Sequence, residues 1–322
     1  MVRQAHTSWP TMLDTYNPWQ VSARSIGPMA KSTLDGSILG EICAVFARTF
    51  YVRTELGLLC VATSDMYNGP LTILTNAPAT TIWQASGVRV RQRAMLQSRK
   101  IALGPGLVIA CWEVTEWIPP RPPAIDAEMT SRGIAHLRAR VVDRLPKNGL
   151  AEFVMPPNLH IRNPLSLVAE GPIRRIRAAL SVALFKRQLF QPAPSDVAAL
   201  LGLGPGLTPS GDDFLGGMMV GLSAVREEAF AQDLWRIISD CEENGANFIS
   251  RAHLRAAADG LAADSILRLV CVVGSGEKIN DETLAAVDRI GHTSGWDVVA
   301  GLVVALETWI NVMGNNLTNR IN

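Results

Sequence analysis

The stretch Ile118 to Pro123, IPPRPP, limits the fold of this chain more than any other. Four prolines in six residues cannot lie inside a helix or a central strand. The apolar pattern also changes there, from a period of two residues to about 3.6. At 322 residues two domains are expected, and 48% apolar residues are ample for their cores. The reading is therefore α+β, with a β-rich domain over 1–120 and a mostly helical domain over 121–322.

Before the prolines, residues 1–36 read as polar and irregular. The runs Ile38–Val52, Glu55–Ala62, Leu71–Thr75, Thr80–Trp83, Val88–Arg93 and Leu107–Cys111 read as strands, punctuated by Gly, Pro, Asn and Asp. Alternation in Val88 to Arg93 places arginines on one face, read as a solvated strand face. After the prolines, helices are expected over 127–145, 165–190 with a break near Gly171-Pro172, 195–201, 212–229, 231–243, 246–259, 263–273, 281–290 and 296–311. Arg174, Arg175 and Arg177 are assigned to solvent.

Within the helical part, Leu203 to Met219 reads LGPGLTPSGDDFLGGMM. Gly204, Gly206 and Gly211 permit positive φ and close approach of a ligand to the backbone. Ser210 or Thr208 is the expected N-cap of the helix that follows, and Asp212 and Asp213 suit its first turn. Gly216 and Gly217 weaken that helix unless it packs very close to a neighbour. A second stretch aligns without gaps: Ser210-Gly211-Asp212-Asp213 with Ser294-Gly295-Trp296-Asp297, then two apolar residues, a small residue and a glycine in each. A threonine lies shortly before each serine, at Thr208 and Thr293. The two segments are expected to start equivalent helices that pack through Gly216, Gly217 and Gly301.

Thirty basic and 29 acidic residues leave a net charge of +1 without long runs of either sign, so neither nucleic acid nor an anionic membrane is an expected partner. The longest apolar run, Val298–Leu306, reads as too short to span a bilayer, and the N-terminus lacks the apolar core of a signal peptide. Five scattered cysteines without CxxC spacing fit a reducing cytoplasm. No HExxH or paired Cys/His spacing indicates zinc. Asp212 and Asp213 stand where a phosphate-binding P-loop needs lysine and a hydroxyl, which disfavours an ordinary nucleotide site.

The remaining chemistry gathers on the repeated segments. Helix N-termini offer free N–H groups to an anion, and carboxylates accept from an amide. Gly204, Gly206, Thr208, Ser210, Gly211, Thr293, Ser294, Gly295 and Asp297 are the candidate binding residues for a small anionic amide or phosphate substrate. Asp212, Asp213 and His292 are the candidate catalytic residues, and Asp212 and Asp213 are also candidates to hold Mg²⁺. His292 is the histidine placed beside the second copy to shuttle a proton. His253 shares a helix face with Ser250; His6, His136 and His160 have no evident partner. The alternative for the acids is simple capping of their own helices.

GLGPGLTPSGDDFLGG, with Ile249–Gly260 and GHTSGWDVVAG at Gly291–Gly301, resembles a bacterial family that includes the AllH-type subunit of oxamate carbamoyltransferase. The resemblance covers roughly 195–305; the first 120 residues carry no motif that matches. It implies a cytoplasmic protein of purine and allantoin nitrogen breakdown, acting where oxalurate and phosphate become oxamate and carbamoyl phosphate. Implied partners are an FdrA-type subunit similar to succinyl-CoA synthetase and a second family subunit. A catalytic subunit and a non-catalytic scaffold or regulatory subunit are both compatible with these motifs.

Overall fold

The computed structural model describes residues 19–122, 124–159, 163–241 and 247–321. His6 and His160 fall outside the described residues. The chain forms two compact units, Met1–Trp117 and Ile118–Asn322.

The first unit holds β1 (Trp19–Ile26), α1 (Pro28–Gly36), β2 (Leu39–Val45), β3 (Thr49–Thr54), β4 (Leu58–Ala62), β5 (Thr72–Thr75), β6 (Arg93–Gln97), β7 (Lys100–Leu103), β8 (Leu107–Ala110) and β9 (Thr115–Glu116). Their order is β5-β4-β3-β2-β6-β7-β8-β1-β9, and an additional β1–β5 pairing closes a barrel. One strand achieves the closure. Trp19–Ser22 runs parallel to β8, and from Ala23 the strand pairs antiparallel with β5, with a register shift between Ala23 and Ser25 inside that second pairing. Such a bulge bends a strand and re-aims its hydrogen bonds. Phe50, Ile73, Trp83, Leu96, Ile101 and Ile109 fill the interior. Trp83 is fully buried, packs edge-on to Phe50 at 5.0 Å, and donates Nε1–H to the Arg48 carbonyl at 3.0 Å.

Several local expectations fail here. Residues 19–36 supply β1 and α1 rather than irregular chain. Thr80–Trp83 and all of Val88–Arg93 but its last residue are turns and irregular chain, so the arginine-bearing strand face does not exist. Val88 is instead a buried contact under the barrel, and Arg91 has φ 67°.

The second unit is helical: α2 (Ala127–Val141), α3 (Pro164–Lys186), α4 (Pro194–Leu200), α5 (Ser210–Ala224), α6 (Glu228–Cys241), α7 (Phe248–Ala258), α8 (Asp264–Ser275), α9 (Asp281–Asp288) and α10 (Ser294–Ile321), with two 3₁₀ turns at Ala151–Val154 and Pro157–Leu159. The α+β reading holds. The break expected at Gly171-Pro172 does not occur, and α3 runs through it. Pro172 is buried there, so its ring contributes packing while one helical hydrogen bond is lost. Helix α5 is buried on nearly every side, as a central helix must be when it is apolar all round. Its main neighbour is α10. The segment Ser294–Gly314 of α10 is 21 residues long with mean hydropathy 1.4, long and apolar enough to cross a membrane, which the run Val298–Leu306 alone did not suggest. Two thirds of that window, 67%, is buried within this unit, as expected for a core helix.

Candidate functional site

Both Ser-Gly-x-Asp segments open helices, α5 at Ser210 and α10 at Ser294. The helices meet reciprocally. A Cβ at Gly217 would lie 1.9 Å from the Val298 carbonyl oxygen, and one at Gly301 would lie 1.9 Å from that of Phe214. Gly217 aligns with Gly301, and Phe214 with Val298, so a local two-fold relates the two copies. Gly216 is different: its Cβ would find Ala257 at 3.6 Å and Leu254 at 3.8 Å, ordinary contacts with α7.

The turns into the helices repeat as well. Gly211 N–H donates to the Leu203 carbonyl at 2.9 Å, and Gly295 N–H to that of Ile290 at 3.0 Å. Leu203 and Ile290 in turn donate to Leu200 and Val287, each at 3.0 Å. A Cβ on Gly211 or Gly295 would lie 1.9 or 2.4 Å from those same Leu200 and Val287 oxygens. Gly204 (φ 110°) and Gly291 (φ 60°) turn the chain against Ser210 and Ser294. The first loop is the longer, and the extra residues include Gly206 and Leu207, which are exposed. The N–H groups of Gly204, Gly206, Leu207 and Thr208 make no hydrogen bond with a described residue. Those of Gly211 and Gly295, expected to cradle an anion, are already engaged.

The expected side-chain caps are absent. Pro209 occupies the N-cap of α5 without a side-chain cap bond. Thr208 Oγ1 lies instead 3.0 Å from Ser294 Oγ, joining the two copies. The adjacent acids point to different neighbours, because successive helical residues are rotated by about 100°. Asp212 Oδ1 accepts from the Gly202 N–H at 2.7 Å, and Oδ2 accepts from the Ser250 hydroxyl of α7. Asp212 thus ties the end of α4 and α7 to α5, and its equivalent in the second copy is the buried Trp296. Burial raises the Asp212 pKa, and the two hydrogen bonds oppose that rise. Ser250→Ala is expected to destabilise the fold by about 1.5–3 kcal/mol, the usual loss of a hydrogen bond to a charged group; urea denaturation measures it.

Asp213 and Asp297 form the second arrangement. Burial pushes the Asp213 carboxyl well above the usual range; the Ser294 hydroxyl opposes this, and the Asp297 charge adds to it. Burial also raises Asp297, opposed by the Leu150 N–H and the hydroxyls of Ser210 and Thr293. Each copy's serine therefore acts on the other copy's aspartate. Asp297 is fully buried, and its Oδ1 accepts from the Leu150 N–H at 2.6 Å. Gly149, at φ 80°, leaves room for that carboxylate: its Cβ would lie 2.5 Å from Oδ1. Oδ2 of Asp213 and Oδ2 of Asp297 are both sealed from solvent without a hydrogen-bond partner among the described residues.

His292 is exposed on the turn before α10 and makes no hydrogen bond with a described residue. His253, one turn after Ser250, is pushed down to about 4 by burial and is neutral at ordinary pH. Among the described residues no group of three or more His, Cys, Asp or Glu side chains is arranged to hold a metal. Since both Asp212 oxygens are committed, joint chelation of Mg²⁺ by Asp212 and Asp213 is not what the geometry favours. Sequence reasoning missed Leu150, whose only local sign was the Asn148-Gly149 turn, and paired Ser250 with His253 rather than with Asp212.

Two family models match the chain. Residues 200–306 match the family described as oxamate carbamoyltransferase subunit AllH, and residues 22–116 match the AllH family N-terminal domain. The chain belongs to the AllH family. The first match contains both Ser-Gly-x-Asp segments and every residue of the Asp213–Asp297 arrangement except Gly149 and Leu150. The second covers the barrel, in which the sequence offered no recognisable motif. No solved structure matches the chain.

Proposed function

We propose that this protein is a carbamoyltransferase subunit and that the pair Asp213–Asp297 lies at its substrate site. The family description supports the subunit role. The observation that carries the site is the pair of buried, unpartnered Oδ2 atoms contributed by two related helix N-termini. Such a pair holds a proton more firmly than ordinary aspartates do, because burial and a neighbouring like charge both oppose ionisation.

The reaction we assign is that of oxalurate with phosphate. A phosphate oxygen attacks the carbamoyl carbon, the C–N bond breaks, and the departing nitrogen takes a proton to leave oxamate beside carbamoyl phosphate. A protonated aspartate can supply that proton, and its ionised partner can accept an N–H of the carbamoyl group. The unengaged N–H groups of Gly204, Gly206, Leu207 and Thr208 suit the phosphate. A protonated pair also lessens the repulsion that two carboxylates exert on an anionic substrate. His292 belongs to this proposal as an exposed proton carrier near the second turn. We place the reaction in the cytoplasm, in purine and allantoin breakdown, with the FdrA-type subunit and a second family subunit as partners.

The test is phosphate-dependent cleavage of oxalurate by the assembled enzyme carrying Asp213→Asn or Asp297→Asn. Loss of about 10²–10⁴-fold in turnover is expected for removal of a general acid or base. A specific observation favours a second reading, that of a scaffold: the Oδ2 atoms are sealed, and the Gly211 and Gly295 N–H groups are engaged within the fold. Near-normal turnover of both variants in an intact assembly would establish that reading instead.

A further inference from the structure

Helix α3 buries one face against its own unit through Ile173, Ile176, Leu180 and Leu184. Its other face is apolar too. Leu167, Gly171, Arg174, Ala178, Val182 and Phe185 recur at helical spacing along one outward stripe. Leu167 is 53% exposed, Val182 45% and Phe185 57%. The large apolar side chains stand at the two ends of this face, Leu167 at one and Val182 and Phe185 at the other, with Arg174 between them on a helix about 34 Å long; exposed apolar surface of this kind is a common mark of a protein interface.

Charge identifies the occupant. Arg174 sits within the stripe and forms no ion pair with a described residue, whereas Arg175 is held by Asp196. Arg174 and Arg177 line a cleft of about 260 Å³ between α3 and α10, closed on the α10 side by Thr308 and Asn311. The acid that reaches Arg177, Glu307, does so only at 3.9 Å and is committed to Arg138 at 2.7 Å. The cleft therefore has an excess of positive charge beside apolar surface. A two-fold contact between copies of this chain centred on Arg174, near the middle of α3, would set that arginine against its own equivalent, an unfavourable pairing of like charges.

We propose that the outer face of α3 docks a different subunit of the same enzyme, through a segment that lays apolar side chains over Val182 and Phe185 and places a carboxylate in the Arg174–Arg177 cleft. This rests on the reading of the chain as a subunit. Arginine is among the residue types that most often carry the binding energy of such a contact, and an aromatic side chain adds buried apolar area.

The experiment co-expresses the full chain with the other carbamoyltransferase subunits and follows hydrogen exchange in α3, free and assembled. Protection of 167–185 on assembly is expected. Phe185→Glu and Arg174→Glu are expected to weaken association by about a hundredfold or more, with the circular dichroism of the isolated chain unchanged. An active assembly in which α3 stays unprotected, and which both variants join normally, overturns the inference and leaves the functional reading intact. A concentration-dependent dimer of the chain alone, lost in Phe185→Glu, overturns it in favour of a second copy. A chain that remains monomeric with every co-expressed subunit overturns both.

Discussion

Gly301→Ala and Gly217→Ala are each expected to destabilise the helical unit by more than about 3 kcal/mol, beyond the usual cost of overpacking. Each new Cβ would stand 1.9 Å from a backbone carbonyl oxygen of the facing helix. A side chain could rotate away from such a contact, but a helical carbonyl cannot, so α5 and α10 must separate. That separation breaks the largest contact within the unit and opens the site at the two helix starts. Gly216→Ala serves as the internal control. Its Cβ meets Ala257 and Leu254 at 3.6 and 3.8 Å, so helix propensity decides the sign, and a gain of up to about 1 kcal/mol is expected. Urea midpoints of the three variants measure the contrast. Tolerance of alanine at 217 and 301 would remove the basis for the local two-fold.

That contrast also shows what the sequence disclosed and what it concealed. The repeat was legible because eight aligned residues kept the same small, acidic and apolar positions. The repeat did not tell which glycine faces the partner helix, since Gly216 and Gly217 are alike in a one-dimensional pattern. Their directions differ by about 100°. The same rotation separates Asp212 from Asp213, which adjacency alone suggested would act together. Asp297's partner, Leu150, lies 147 positions away and donates only its backbone N–H, a group every residue but proline carries. In the barrel, β6 and β7 escaped notice because their hairpin turns at Ser98 and Arg99, with φ of 51° and 55°. Such a turn ordinarily uses Asn-Gly or Asp-Gly, and neither occurs here. Thr80–Trp83 was mistaken for a strand because its branched and aromatic residues suit a pleated surface. Trp83 is there to fill the barrel, and a turn delivers it as well as a strand would.

Replacing either aspartate of the buried pair by asparagine is expected to raise stability at pH 8 while reducing activity. Both carboxyls have folded-state pKa values above the ordinary aspartate value, principally through burial. The folded state therefore binds more protons than the unfolded chain in that range. Their contribution to stability is fully present below the ordinary aspartate pKa, about 3.9, and is lost as pH rises through the raised values. Asparagine has no ionised form, so the variants lack this loss. Asp297→Asn retains an oxygen for the Leu150 N–H, and its amide can donate toward the opposite carboxylate. At pH 8 the gain should be about 1–3 kcal/mol, the usual penalty of an unsatisfied buried polar group, and it should shrink toward pH 4. Because the two acids interact, each single variant is expected to change the titration of the whole pair rather than remove one independent step. Urea denaturation of the parent and both variants from pH 4 to 8 makes the comparison. A gain in stability joined to the loss of turnover is the pattern of a site kept strained for chemistry. If instead both variants are less stable than the parent by the same amount at every pH, the carboxylates are ionised structural partners, and neither proton transfer nor amide binding can be assigned to them.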